Sequence, residues 1–174
     1  MNIFKVVSTF LHFKPNIRSK LRGFDMRIED KVNEIVELSI LDVTDLSVEH
    51  LSYMFDVHIL YNHRSNFYVQ KAGVDIIGLK FDKRHEMFKA FCHEAGHMFL
   101  HATNQKEMPQ TFNQLQEAEA EKFALLLQLP ENLIIKNRWY EPIDLMTHFN
   151  VSEDVAIKRL EILRNRAEVL QLQF

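Results

Sequence analysis

The amino-acid sequence predicts an α+β fold that is mostly helical and contains one small three-stranded sheet. Composition is the first reason, since 174 residues with 47% hydrophobic and 26% charged positions are typical of a single globular domain. The second reason is that only 4 glycines and 4 prolines interrupt the chain, which favours helices over tight turns. The third is a change in the spacing of apolar residues, from helical to strand-like and back, near the middle of the chain.

Apolar residues at helical spacing predict at least six helices. These cover residues 28–38, 48–54, 83–101, 114–129, 143–149 and 152–167. Ser47 or Asp45 is expected to cap the second helix and Asp82 the third, because short polar side chains accept hydrogen bonds from the first backbone amides of a helix. Pro130 is expected to end the fourth helix, since proline lacks the amide hydrogen that would continue it.

Three short stretches rich in β-branched and aromatic residues interrupt the helical pattern. They cover residues 55–61, 65–70 and 74–79, and each predicts a strand. Because the connections between them are short, we expect a small antiparallel sheet. The third strand leads directly into the helix at 83–101, so the sheet is expected to pack on that helix.

Charge divides the chain into two regions. Residues 1–25 hold five basic residues against Asp25 and so carry a formal charge of +4. Residues 26–174 carry −7, which gives the whole chain its formal charge of −3. Apolar residues within 2–13 recur at helical spacing, so residues 1–25 are predicted to form a basic amphipathic leader or extension. Residues 26–174 are predicted to form the functional domain, with a helical C-terminal part. The acidic charge of this domain argues against nonspecific nucleic-acid binding.

Cysteine content and hydropathy together predict a cytoplasmic protein. A single cysteine, Cys92, rules out an internal disulfide, which suits a reducing compartment. No apolar run approaches the ~20 residues that a membrane-spanning helix requires. The apolar stretch near the N-terminus is interrupted by Lys5 and is not followed by a small-residue cleavage site, so we expect no secretion signal.

The helix predicted at 83–101 carries the letters HEAGH at residues 93–97. Positions four apart lie on one face of a helix, so His93 and His97 can direct two imidazoles at one metal ion. Glu94 lies beside that ion without needing to bind it. Two histidines on zinc with a neighbouring glutamate as general base form the arrangement by which metallopeptidases activate water.

A catalytic zinc ion needs a third protein ligand and an open position for water. His101 lies two turns from His93 along the same straight helix, about 12 Å away, and cannot reach the same ion. The following helix supplies three glutamates. Glu117 and Glu121 border its apolar face and either could reach the ion, whereas Glu119 is expected to face solvent.

Two segments of the sequence resemble the ImmA/IrrE family of metallopeptidases. They are HEAGHMFLH at residues 93–101 and, after a loop, EAEAEKFALLLQLP at 117–130. The family pattern is a His-Glu-x-Gly-His motif followed by Leu-His, and then a glutamate-led helix that ends at a proline. The resemblance covers about residues 28–165, leaves the leader outside, and implies a compact zincin-like domain.

The resemblance also implies a role for each residue of the site. His93, His97 and Glu117 match the positions of the Zn²⁺ ligands, and Glu94 matches the general base. Glu121 stands where the family has Asn or Asp, and we expect it to hydrogen-bond one of the liganding imidazoles. Members of this family commonly act on a helix-turn-helix repressor of a phage or mobile element, so such a repressor is the expected protein substrate.

Two alternatives to proteolysis stay open at this point. Residues 144–152 and the helix after them have the rhythm of a helix-turn-helix, so the C-terminal part could read DNA; acidic residues within it favour packing or substrate docking instead. The basic residues of that helix are Lys158, Arg159, Arg164 and Arg166. A metal-containing regulator could also bind a repressor without cutting it. Tyr140 and His148 are candidates for stabilising an oxyanion, on residue type alone.

Overall fold

A computed structural model describes residues 27–101 and 110–169 of the chain. Its helices are α1 Ile28–Ser39, α2 Val48–Phe55, α3 Arg84–Leu100, α4 Gln110–Gln128, α5 Glu131–Asn137, α6 Pro142–Phe149 and α7 Glu153–Val169. Its strands are β1 His58–Asn62, β2 Phe67–Lys71 and β3 Val74–Lys80, and a 3-10 turn covers Val43–Asp45. The α+β prediction is therefore confirmed. The predicted leader, residues 1–25, lies outside the described residues.

The three strands form a mixed sheet in the order β1-β3-β2, so the prediction of an antiparallel sheet is wrong. β3 pairs antiparallel with β2 but parallel with β1. Burial is the reason, because β3 alone among the three strands carries buried apolar side chains, Ile77 and Leu79, and so takes the centre. After β1 the chain turns at Asn62, whose side-chain oxygen accepts two backbone hydrogen bonds. Only β2 and β3 form a hairpin, with Ala72 and Gly73 at positive φ.

The starts and ends of two helices differ from the prediction. Phe55, predicted to begin the first strand, instead ends α2 and is buried. Ser47 caps α2 as expected, because its hydroxyl oxygen accepts the amide hydrogen of His50 at 3.2 Å. Asp82 does not cap α3, since that helix begins one residue later than predicted. The cap is Lys83, whose amide donates to the Asp82 carboxylate at 2.7 Å.

Helix α3 lies in the middle of the main core. The core packs α1, α2, the sheet and α4 around α3, and the sheet contacts α3 through β2 and β3, as predicted. Phe91 and Cys92 are fully buried on its inner side, and burial raises the pKa of the Cys92 thiol. Cys92 is thus a core residue. None of the helices within residues 27–101 and 110–169 is long and apolar enough to cross a lipid bilayer.

The C-terminal helices form a second apolar cluster on the end of α4. Its buried members are Leu125, Leu129, Ile134, Leu145, Ala156, Leu160 and Leu163. Two arginines of α7 make polar contacts at this cluster, one within it and one to α1. The Arg159 side chain is buried and its Nε donates to the backbone oxygen of Leu129 at 2.8 Å, while Arg166 pairs with Asp30 of α1 at 2.8 Å. Burial lowers the pKa of Arg159 to about 10, so it stays charged at neutral pH, and Glu131 is the nearest opposing charge.

Candidate metal centre

Three side chains from two helices converge at one point in the domain. His93 and His97 lie one turn apart on α3, and Glu117 reaches them from α4. The Nε2 atoms of the two histidines are 3.1 Å apart. The carboxylate oxygens of Glu117 lie 3.2 Å from Nε2 of His93 and 3.5 Å from Nε2 of His97. The three ligands expected from the sequence are therefore neighbours in space.

This set of donor atoms fits a zinc ion. Two imidazole nitrogens and one carboxylate are typical ligands of a catalytic zinc site. Ligands arranged tetrahedrally at the usual zinc bond lengths are about 3.3–3.4 Å from one another. The imidazole nitrogens are 3.1 Å apart, and the two oxygens of Glu117 lie 3.2 Å from one of them and 3.5 Å from the other, so the separations are close to that value. Within the two described stretches of chain, this is the one group of three or more His, Cys, Asp or Glu side chains with metal-binding spacing.

The protein environment keeps the inner histidine neutral. The His97 side chain is 8% exposed, and burial lowers its pKa to about 4 against the opposing charge of Glu117. At neutral pH a ring nitrogen of His97 therefore offers a lone pair, which metal binding requires. The Glu117 carboxylate is 51% exposed, so the site opens toward solvent on the α4 side.

Glu94, a residue of α3, is held against strand β2. The backbone amide of Tyr68 donates a hydrogen bond to its carboxylate. The residue is buried, and this burial, followed by the charge of Glu117, raises its pKa to about 7 although the Tyr68 amide opposes the shift. A carboxyl group that titrates near neutral pH can both accept and return a proton. The sequence gives no sign of the Tyr68 contact, because the register of β2 against β3 sets it.

The other candidate residues lie around this centre. His101 ends α3 and turns its Nε2 to the backbone oxygen of Gln116, 3.1 Å away, so it does not join the ligand set. The expectation that Glu119 faces solvent is wrong, since it is half-buried with its carboxylate 3.8 Å from Nε2 of His101. Glu121 is exposed and lines a cleft beside His93. That Glu121 hydrogen-bonds an imidazole stays a prediction.

The two helices are in backbone contact where Gly96 faces Ala120. A β-carbon added at Gly96 would lie 3.0 Å from the α-carbon of Ala120 and 3.1 Å from its carbonyl oxygen. Glu117 stands about one turn before Ala120, so this close approach brings its carboxylate within reach of the histidines. The same contact turns the Gln116–Ala120 side of α4 inward. It therefore explains why Glu119, next to that side, is half-buried.

An open cleft of about 1000 Å³ runs beside the metal centre, a size typical of ligand-binding clefts. The 3-10 turn, α2, α3, α4 and the turn between α6 and α7 form its walls. The lining residues include Leu46, Glu49, Tyr61, Ala90, His93, Glu94, Glu121, Leu125, His148, Phe149, Val155 and Lys158. The C-terminal helices thus share one cleft with the candidate catalytic residues.

Of the two residues considered for oxyanion stabilisation, His148 reaches the cleft. Its ring stacks on Trp139, with ring centroids 4.0 Å apart and planes 13° from parallel, and this contact fixes the direction of the imidazole. Tyr140 packs against the apolar cluster of the C-terminal helices instead. Residue type alone could not show which of the two faces the cleft, because this depends on how α6 packs on the rest of the domain.

Comparison with known proteins gives the class of this protein. Residues 56–161 match the IrrE N-terminal-like domain of the Peptidase M78 family, so the chain belongs to that family of peptidases. The resemblance to ImmA/IrrE proteins is thereby confirmed. The chain is also similar to the phage-like element PBSX protein XkdA of Bacillus subtilis (strain 168), with 27% identity over 124 residues. That alignment covers 68% of this chain and 63% of the relative's length. No solved structure matches the chain significantly.

Proposed function

We propose that this protein is a zinc-dependent endopeptidase of the cytoplasm that cuts a helix-turn-helix repressor of a phage or mobile element. The observation that carries the proposal is the convergence of His93, His97 and Glu117, with Glu94 beside them, in a member of a peptidase family. The two imidazoles and the Glu117 carboxylate would hold the Zn²⁺ ion. That leaves a position open for water and substrate.

The chemistry follows from the placement of Glu94. When bound, zinc supplies a Lewis acid that polarises the substrate carbonyl and makes water more acidic. Glu94 takes the proton that the attacking water loses and delivers it to the leaving amine. The Tyr68 amide orients the carboxylate for this task, and burial keeps its affinity for a proton high. His148, held against Trp139 at the same cleft, would donate a hydrogen bond to the developing oxyanion.

The proposed substrate rests on family membership and on the name of a relative. XkdA is named as a protein of a phage-like element, and this supports a repressor of such an element as the substrate. The shared cleft supports it further, because a protein substrate can contact the α6–α7 turn while its scissile bond lies at His93 and Glu94. The single cysteine, Cys92, is buried and forms no internal disulfide, which supports the cytoplasmic location.

Cleavage of a purified repressor tests the proposal. The protein is loaded with zinc and incubated with each helix-turn-helix repressor encoded beside it, and the fragments are identified by mass spectrometry. We expect one specific cut, which a chelator abolishes and added zinc restores. The Glu94→Gln protein should bind zinc and leave the repressor whole, because a carboxamide cannot accept the proton of water. Equal cleavage by this variant would exclude the mechanism.

The same experiment distinguishes a regulator that acts by binding alone. Wild type and Glu94→Gln would then form the same complex with the repressor, and neither would cut it. DNA reading by the C-terminal helices has less support, because Arg159 is buried and Arg166 is paired with Asp30. A DNA complex that survives near-physiological salt and is lost on Lys158→Ala would favour that reading instead.

A further inference from the structure

The geometry points to His101 as a positioning residue for the metal ligand Glu117, acting through the backbone carbonyl of Gln116. This inference rests on the proposed metal centre and assigns a task to a histidine that does not bind the ion. His101 is the C-cap of α3, and its Nε2 lies 3.1 Å from the Gln116 oxygen. The contact joins the end of α3, which bears His93 and His97, to Gln116 of α4, the residue before Glu117.

The chemistry of this contact fixes the tautomer of the imidazole. A carbonyl oxygen only accepts hydrogen bonds, so Nε2 of His101 carries the hydrogen that it donates to Gln116. The His101 side chain is 6% exposed, so this hydrogen bond is shielded from water. The carboxylate of Glu119, 3.8 Å from the same nitrogen, further favours a hydrogen there. His101 is thus a buried donor with a defined acceptor.

Glu117 needs such support because its own side chain is largely in solvent. It is 51% exposed, and the imidazoles of His93 and His97 are its close polar contacts among the described residues. The position of its carboxylate therefore depends on where α4 lies. A shift of one residue along a helix moves a side chain by 1.5 Å and turns it by about 100°, whereas metal ligands must be held within about 0.5 Å.

Two contacts one turn apart on α4 join it to α3 on either side of Glu117. At Ala120 the backbone touches Gly96, and at Gln116 the carbonyl oxygen receives the hydrogen bond from His101. Apolar packing, including the stacked rings of Phe99 and Phe123, holds the two helices together, while the His101 hydrogen bond acts on the residue next to the ligand. Loss of the His101 donor should therefore displace the Glu117 carboxylate locally even when the helix persists.

Zinc affinity of His101 variants tests this inference. The glutamine amide can place an N–H near the position of Nε2, while asparagine is too short and alanine has no donor. We expect His101→Asn and His101→Ala to weaken zinc affinity by roughly 10–100-fold, the usual effect of removing a group that orients a metal ligand. His101→Gln should stay close to wild type. Competition with a zinc-binding dye gives the affinity, and the visible spectrum of the Co²⁺-loaded protein reports the geometry of the ligands.

His50 provides a matched control. Its Nε2 lies 2.8 Å from the backbone oxygen of Ser39, and Asp45 is 3.9 Å from its other ring nitrogen, so it makes the same kind of contact away from the metal centre. His50→Ala should lower the melting temperature of the metal-free protein and leave zinc affinity and the Co²⁺ spectrum unchanged. If His50→Ala weakened zinc binding as much as His101→Ala, the effect would be one of general stability, and the positioning role would be excluded.

The outcomes separate this inference from the proposed function. Wild-type zinc affinity in both His101→Asn and His101→Ala would overturn the positioning role and leave the metal centre intact. If the wild-type protein itself bound no stoichiometric zinc, the metal centre and this inference would fall together. Should His101→Ala unfold, the comparison of His101→Asn with His101→Gln decides, since these two amides differ in reach but not in charge or hydrogen-bonding groups.

Discussion

Gly96 of α3 and Ala120 of α4 are in contact through their backbones, and no side chain larger than hydrogen fits at Gly96 without movement of one helix. The contact explains in physical terms why a glycine stands between the glutamate and the second histidine of the motif. It allows α4 to come close enough for Glu117 to meet His93 and His97. The arrangement of the proposed metal ligands therefore depends on helix packing at one residue.

The first prediction is that Gly96→Ala lowers stability and zinc affinity together. Alanine gains about 1 kcal/mol over glycine inside a helix, but overpacking costs about 1–3 kcal/mol. The overpacking cost prevails here because the atoms that the new methyl group meets at 3.0 and 3.1 Å belong to the Ala120 backbone and cannot rotate away. Urea unfolding of the metal-free protein and zinc competition provide the two measurements. Adding Ala120→Gly should restore little of the lost stability and zinc affinity. Full recovery of both in that double variant would show that the clash is between side chains.

The second prediction concerns the pH dependence of stability without metal. Burial raises the folded-state pKa of Glu94 from 4.5 to about 7. Between these values the folded protein holds a proton on Glu94 that the unfolded chain has released, so the contribution of Glu94 to stability falls as pH rises through this window. His97, whose pKa is lowered to about 4, contributes in the opposite direction, and it does so equally in wild type and in Glu94→Gln. Metal-free Glu94→Gln lacks the loss that Glu94 causes and should be more stable than wild type above pH 7, by at most about 3 kcal/mol.

Urea unfolding in chelator at pH 5 and pH 8 checks this expectation. Glu86→Gln makes the same chemical change on an exposed part of α3 and should keep the wild-type dependence on pH. The stability difference between Glu94→Gln and wild type should grow from pH 5 to pH 8, and an equal difference at the two pH values would mean that Glu94 does not titrate as a buried carboxyl.

The third prediction assigns the carboxylate ligand. Glu117→Ala is expected to lose stoichiometric zinc, because the carboxylate nearest the two imidazoles is gone. Glu121→Ala should weaken affinity by roughly 10–100-fold if Glu121 orients an imidazole as the family pattern implies. Metal content of the purified variants is the measurement. Full zinc content in Glu117→Ala together with loss of zinc in Glu121→Ala would show that the ligand is Glu121, one turn further along α4.

The fourth prediction concerns the N-terminal segment. The change in charge after Asp25 predicts that residues 1–25 lie outside the catalytic unit. A polypeptide that begins at Met26 should therefore keep the melting temperature and the zinc content of the full chain. A large fall in melting temperature would show that the leader packs into the core.

The local motif and helical periodicity predicted, for physical reasons, which side chains lie close together; that they bind a metal ion stays a prediction. His93 and His97 share one helical face by spacing alone, and Glu117 follows at a position that the family pattern marks. Long-range contacts were not predictable in this way. The hydrogen bond from the Tyr68 amide to Glu94 depends on strand register, and the one from His101 to Gln116 depends on how two helices cross.

The errors in the predicted fold have equally specific causes. Short connections favoured an antiparallel meander, but the two buried residues of β3 required that strand at the centre of the sheet. Phe55 suited a strand by residue type, but it ends α2 and is buried against Phe91 and Phe99 of α3. Glu119 was expected in solvent because it points about 200° round α4 from Glu117. The sequence could not show that the end of α3 reaches this side of α4, where Nε2 of His101 lies 3.8 Å from the Glu119 carboxylate.

The central position of β3 also determines when the sheet can form during synthesis of the chain. β1 and β2 leave the ribosome before β3, and each pairs with β3 and not with the other. Until residues 74–80 have emerged, a nascent chain displays two strands whose hydrogen-bonding groups lack their final partners, a state prone to aggregation. Pauses in translation after β2 has emerged from the ribosome but before residues 74–80 have done so should therefore increase the demand for chaperones more than later pauses, when the sheet can already close.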